Sequence, residues 1–266
     1  MTILQEIAEY TKIRISEEKG NLPLDEVRRF AETIAASDKE KAFRFEKALK
    51  DASPMAFICE CKKASPSKGL IAEKFPYVDI AKEYEAAGGT AISCLTEPKW
   101  FMGSDRYLEE IAESVSIPVL RKDFTIDPYM IYQAKTIGAS AVLLICSLLN
   151  TDELKEYIAI ADSLGLSQIV EAHDEAEIES AMNAGARIIG VNNRNLKDFT
   201  VDINNSGRLR AMVPDSILFV AESGIKTRDD VATLESIGVN AVLIGETLMR
   251  SSDKKAMINE LKGIEK

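Results

Sequence analysis

An α/β fold, a (β/α)8 TIM barrel with an N-terminal helical extension, is predicted by three features. Eight short apolar runs recur along the chain, helix-like amphipathic stretches separate them, and the leading segment has no strand-like run. Residues 1–54 are read as the extension. Ile3, Leu4, Ile7, Ile13 and Ile15 roughly follow helical spacing, Pro23 interrupts, and Ser37 with Glu40 forms a capping-box pattern for a helix through Leu49. From Met55 the runs are MAFICECK, AISCLT, PVLRKDF, AVLLICS, QIVEAH, RIIGVNN, LFVAES and AVLIGE, starting roughly 20 to 36 residues apart. Between them lie segments such as VDIAKEYEAAG, DELKEYIAIADSLG and RDDVATLESIG, which have the pattern of helices joining parallel strands. Eight runs favour closure. An open doubly wound sheet would announce a dinucleotide with a Gly-rich first turn, and no G-x-G-x-x-G follows any run. No Pro-, Gly- or Ser-rich linker divides the chain, so residues 55–266 are expected to form one barrel and, with the extension, a single domain.

Composition narrows the function. A chain of 266 residues with 46% hydrophobic content suffices for one large barrel. A formal net charge of -10 argues against nucleic-acid and anionic-membrane partners, whose binding surfaces are usually basic. The start MTILQEIAEYTKIR lacks a basic-then-apolar leader pattern, and AVLLIC followed by SLL is too short to span a bilayer; a cytoplasmic protein is expected. No large apolar stripe is evident in the sequence, which favours a monomer. The four cysteines show no disulfide framework, and Cys59 and Cys61 lack metal or redox spacing, so burial as small apolar residues is expected.

Barrel chemistry sits at the C-terminal ends of the strands, and those ends are unusually charged here. The first run ends in Glu60 and Lys62, the third in Lys122 and Asp123, the fifth in Glu171, the sixth in Asn192 and Asn193, the seventh in Glu222 and Ser223; the second, fourth and eighth end blandly. Strand alternation places Glu60 and Lys62 on one face and the two cysteines on the other. Barrel interiors are layered from alternate strands, so Glu60, Lys62, Lys122, Glu171 and Glu222, all from odd-numbered runs, can converge at the mouth. Charges in such apolar contexts are costly unless they pair or work.

Loops after the seventh and eighth strands often bind phosphate, where glycine lets backbone N–H groups approach an anion. Ser223-Gly224-Ile225 and Gly245-Glu246-Thr247 occupy those positions, and Ser65-Pro66-Ser67-Lys68-Gly69 after the first run can close the same pocket. The residues by themselves describe an acid/base enzyme acting on a phosphorylated small molecule. A Schiff-base aldolase would instead use one lysine covalently, and a catalytically silent sugar-phosphate binder would keep the loops without the charges.

The segments ECKKASPSKG, LTEPKWFMGS, PVLRKDF, VLLI, IVEAH, GVNNRNL, AESGI and LIGETLMR, in this order, resemble the successive signatures of the indole-3-glycerol-phosphate synthase family. The E-x-K-x-x-SPS, KDF and NNR-L patterns are the most specific, and the resemblance extends over nearly the whole chain, including the extension. A phosphate-binding barrel such as phosphoribosylanthranilate isomerase would need no second lysine in the E-x-K segment. Cys59 and Cys61 depart from the family's commoner residues but lie on the face away from the axis.

The resemblance implies ring closure of 1-(2-carboxyphenylamino)-1-deoxyribulose 5-phosphate with loss of carbon dioxide and water, in tryptophan biosynthesis, without a cofactor. It implies that Lys122 is the proton donor of ring closure and that Glu171 and Lys62 are the acid/base pair whose division of labour stays open. Glu60 and Glu222 would orient the lysines, and Asn192 would hydrogen-bond substrate or Glu171. Ser65, Ser223, Gly224, Gly245 and Glu246 would bind the sugar phosphate, and Phe101 and Phe124 would enclose the aromatic ring. The lone His173, two residues past Glu171, is expected in a supporting or surface role, and one histidine without clustered acidic ligands speaks against a metal site.

Overall fold

A computed structural model describes residues 2–195 and 199–264, so Leu196, which closes the NNR-L pattern, lies outside the described residues. Eight parallel strands close a barrel: β1 (Ala56–Cys61), β2 (Ala91–Leu95), β3 (Val119–Lys122), β4 (Ala141–Ile145), β5 (Ser167–Ala172), β6 (Ile188–Asn192), β7 (Leu218–Glu222) and β8 (Ala241–Ile244). Each strand pairs with its sequence neighbours, and β1 closes the ring against β8 with Ala56 beside Ala241 and Cys59 beside Ile244. A short antiparallel ribbon, Ala64–Ser65 with Gly69–Leu70, follows β1 at the barrel mouth.

The side-chain period of two divides every strand between two cores. Ala56, Ile58, Ala91, Leu120, Ala141, Leu143, Ile145, Ile169, Ile188, Leu218, Val220, Ala241 and Leu243 fill the interior. Phe57, Cys59, Cys61, Ile92, Cys94, Val142, Val170, Val191, Phe219 and Val242 face the surrounding helices. Cys59, Cys61 and Cys94 are free and buried on that outer face, and burial pushes the Cys59 thiol up to about 12.

Several of the helices after the strands begin where the sequence supplies a side-chain cap. Ser104 caps α5 (Asp105–Ser114), Asp127 caps α6 (Pro128–Thr136), and Asn150 with Glu153 forms a capping box on α7 (Thr151–Ser163). Asp174 caps α8 (Glu175–Asn183), and Thr227 with Asp230 boxes α10 (Arg228–Ser236). Of the remaining outer helices, α4 (Tyr77–Ala86) follows β1, α9 (Asn204–Arg210) follows β6, and α11 (Glu246–Arg250) and α12 (Lys254–Lys262) follow β8. Among the described residues no helix is long and apolar enough to cross a membrane.

The extension forms α1 (Ile3–Asn21), α2 (Leu24–Ser37) and α3 (Arg44–Asp51). Helix α3 stoppers the bottom of the barrel: Phe45 and Leu49 join the interior core, where each gains about 1.5–3 kcal/mol relative to exposure. Two expectations are corrected here. Ile13 is 60% exposed, off the face that buries Leu4, Ile7 and Ile15. Ser37 ends α2 instead of capping the next helix, its hydroxyl donating to the Ile34 carbonyl. After a single 3-10 turn at Lys39–Lys41 the next α-helix starts only at Arg44, because tertiary contacts hold the chain before it: the Phe43 N–H donates to the Gly165 carbonyl at 2.8 Å, and Phe43 adopts the left-handed region with φ 54° under the Arg187 guanidinium.

Candidate active site

The strand ends surround a cavity of about 580 Å³, within the range of small-molecule sites. All thirteen site residues expected from the sequence line it: Glu60, Lys62, Ser65, Phe101, Lys122, Phe124, Glu171, Asn192, Glu222, Ser223, Gly224, Gly245 and Glu246. Each charged floor residue stands two positions beyond an interior apolar one, Glu60 after Ile58, Lys122 after Leu120, Glu171 after Ile169 and Glu222 after Val220, so alternation turns them all to the axis.

Lys122 is the centre of the cluster. Its Nζ donates to Glu171 Oε2 at 3.0 Å and to Glu222 Oε2 at 2.9 Å, bridging β5 and β7 from β3. Burial opposes the ammonium, but Glu171, Glu222 and Glu60 outweigh it and raise the Lys122 pKa well above the ordinary lysine value. The two carboxylates diverge. Burial favours the protonated form of each, yet Lys122, His173 and the Asn192 amide together hold Glu171 below the usual carboxylate range. For Glu222 burial and the like charges of Glu171 and Glu60 prevail over Lys122, and its pKa rises. One ammonium does not fully neutralise two buried carboxylates.

A second pair stands beside the first: Lys62 Nζ lies 2.5 Å from Glu60 Oε1. Gly245 permits that placement, since a Cβ there would collide with Glu60 Oε1 and approach Lys62 Nζ to 2.8 Å. Around the rim, Ser223 and Gly224 both hold positive φ, 67° and 85°, bending the loop after β7 so that it lines the cavity. Ser223, lacking glycine's freedom, is strained, as residues at functional loops often are. The Glu246 carboxylate is paired with Lys68 at 3.5 Å and Arg250 at 3.1 Å, which leaves its backbone N–H as the group it can offer an anion. Phe101 and Phe124 line the cavity as a tilted pair, with ring centroids 5.8 Å apart and planes at 42°.

Several features went unread in the sequence. The end of β2 is not bland: Glu97 is fully buried and accepts the backbone N–H groups of Lys99, Trp100 and Phe101 at 2.7–2.9 Å, folding the loop that carries Phe101. A carboxylate heading a run of unpaired N–H groups was the available signal. Asp123, although it also borders the cavity, is not bonded to the Lys122 cluster; its buried carboxylate accepts both hydrogen bonds of Arg14 at 2.9 and 3.0 Å and that of Thr96 at 2.7 Å. Asn193 likewise braces loops, bonding Ser206 and the Ser223 carbonyl, whereas Asn192 donates to Glu171 Oε1 at 3.4 Å. Ile3, Leu4 and Ile7 of α1 and Arg194 after β6 also line the cavity, contributions that no strand-end reading could supply.

Comparison with known proteins places this geometry. The chain is 61% identical over 261 residues to the indole-3-glycerol phosphate synthase of Ruminiclostridium cellulolyticum, covering 98% of this chain and 99% of that protein. It is 54% identical to the enzyme of that name from Endomicrobium trichonymphae, again over 98% and 99% of the two chains. Among solved structures, 3-hexulose-6-phosphate synthase from Salmonella typhimurium superposes with a TM-score of 0.65 at 14% identity, over 79% of this chain and 98% of that one, a likeness of fold. A sequence model of the family described as indole-3-glycerol phosphate synthase matches residues 4–261, and the chain belongs to that family.

Proposed function

We propose that the protein catalyses ring closure of 1-(2-carboxyphenylamino)-1-deoxyribulose 5-phosphate to indole-3-glycerol phosphate, releasing carbon dioxide and water, in tryptophan biosynthesis. The observation that carries the reading is the Lys122 ammonium, fixed between Glu171 and Glu222 on the floor of the cavity in a chain of this family.

In this scheme the aromatic carbon bearing the carboxylate attacks the ribulose ketone, and Lys122 delivers a proton to the ketone oxygen as the carbon–carbon bond forms. Loss of carbon dioxide from that ring carbon returns its electrons to the aromatic system. Dehydration completes the indole. Glu171, kept ionised by its neighbours, removes a proton, and Lys62, ion-paired with Glu60, delivers one to the departing hydroxyl. Glu222 holds Lys122 in line, and Asn192 steadies Glu171. The phosphate is held by the hydroxyls of Ser65 and Ser223 and by backbone N–H groups at Gly224, Gly245 and Glu246, while Phe101 and Phe124, in contact with each other, together form an aromatic wall that encloses the anthranilate ring. Side chains alone serve these steps, without cofactor or metal, and the protein works as a cytoplasmic monomer. Positioning by the anchored phosphate supplies much of the rate, because it turns ring closure into a reaction between groups already in contact.

The test is to add the carboxyphenylamino ribulose phosphate to the purified chain after chelator treatment and follow indole fluorescence. Product formation equal to that of untreated protein is expected; no fluorescence would overturn the assignment.

A further inference from the structure

His173 is the chain's single histidine, and no step above uses it. It follows β5 and is largely buried against the first turn of α8. Glu177 fixes it twice: one carboxylate oxygen accepts the His173 backbone N–H at 2.8 Å and stands 3.1 Å from Nδ1 of the ring. Glu177 is itself held, its other oxygen accepting the Ser147 hydroxyl at 2.5 Å and its backbone N–H donating to the Asp174 cap at 3.0 Å. From α9 the Asn205 amide donates to the His173 carbonyl at 3.3 Å. With the ring so oriented, Nε2 lies 3.5 Å from Oε1 of Glu171, the oxygen opposite the one that takes Lys122. Among the described residues that buried Nε2 has no hydrogen-bond partner, and its ion-pair approach is to this carboxylate.

We propose that His173 is a positioning residue for Glu171: clamped at Nδ1 by Glu177, it presents charge and a proton at Nε2 to the outer oxygen of Glu171 and so sets the pH range in which that carboxylate acts as a base. The proposal rests on the acid/base reading of Glu171 given above. The groups that face the ring are Glu171 from β5, Glu177 from α8 and, farther off, Glu222 from β7; α9 contributes the uncharged Asn205, and Lys122 reaches Glu171 from its other side. Burial disfavours the imidazolium, but the three carboxylates outweigh it and the ring holds its proton above the ordinary histidine value. Lys122 fixes one oxygen of Glu171, and the imidazolium, together with the Asn192 amide, steadies the other, which keeps the carboxylate ionised and aimed.

Because the coupling between two titrating groups is reciprocal, it can be read from either side. In an untagged chain the ring ¹⁵N resonances belong to one residue. The NMR titration midpoint of His173 is expected above that of a free histidine and should fall by about half a unit or more in Glu171→Gln, one negative charge having been removed. A midpoint unmoved in Glu171→Gln would overturn the proposal, since the ring would then answer to Glu177 alone. This arm needs only folded protein, so it decides the matter even if the ring-closure reading fails. In the activity arm the acid limb of the kcat profile should move up by about one pH unit in His173→Asn, roughly a tenfold loss at acidic pH, and stay in place in His173→Lys, which keeps the charge. KM should change little. A His173→Asn profile superposable on the parent would also overturn the proposal.

Discussion

Lys122 holds its proton because two carboxylates reach it, and a strongly retained proton is best released to an oxygen on which negative charge is developing, as on a ketone under attack. In the proposed reaction Glu171 is the complementary group, ionised though buried, and the proton it would take up raises no new charge in the cluster. Replacing it with glutamine keeps the shape and removes the base. Glu171→Gln should therefore lower kcat by about 10²–10⁴-fold with little change in KM; steady-state kinetics showing a change in KM alone would make Glu171 a binding residue instead. Gly245 is tested by the opposite logic. In Gly245→Ala the added methyl would displace the Glu60–Lys62 pair, and overpacking of about 1–3 kcal/mol should appear as a kcat/KM loss of about tenfold or more, measurable beside a thermal melt that shows the chain still folded.

The elements that position these residues were legible in the sequence to different degrees, for physical reasons. The eight strands announced themselves because both faces are apolar until the last residues, and the change to charge marks the mouth. Alternation then assigned Glu60, Lys122, Glu171 and Glu222 to the axis without a structure. The break before α3 was illegible because it is imposed from outside: Phe43 is held by Gly165, far along the chain, and a local capping pattern at Ser37 could not compete. The role of α1 was hidden likewise. Arg14 on α1 reaches Asp123, adjacent to Lys122, and Arg121 on β3 is held in turn by Asp105, Thr96 and Gln133, the last bonded to Glu18 of α1. The extension is thus tied to the strand that carries Lys122. Asp123→Ala strips Arg14 of its buried counter-charge, while Arg121 keeps Asp105 at 2.8 Å, and should cost about 3–5 kcal/mol in urea unfolding, whereas an exposed pair such as Lys12–Glu9 would cost under about 1.

Across the whole molecule the buried charges make stability depend on pH in opposite senses at the two ends of the scale. Asp123, Glu171 and Glu177 are held below the usual carboxylate range, so their stabilisation is full above about pH 4.5 and is lost as pH falls through their lowered values. His173 is raised, so its contribution is full below about pH 6.5 and fades as pH climbs through its folded value. Glu222, whose ionised form the fold disfavours, and a net charge of -10 push the same way at higher pH. The unfolding midpoint should be highest in mildly acidic buffer and fall from pH 6 to pH 8.5, less steeply in His173→Asn; circular-dichroism melts that stay flat or rise over that interval would contradict this assignment of charges. The central claim, that Lys122 supplies the proton for ring closure within a prebuilt phosphate-anchored pocket, has a more direct test. Turnover of the carboxyphenylamino ribulose phosphate by Lys122→Ala, followed by indole fluorescence alongside calorimetric binding of the product indole-3-glycerol phosphate, should show activity abolished and binding largely retained. Turnover near that of the parent chain would contradict the account.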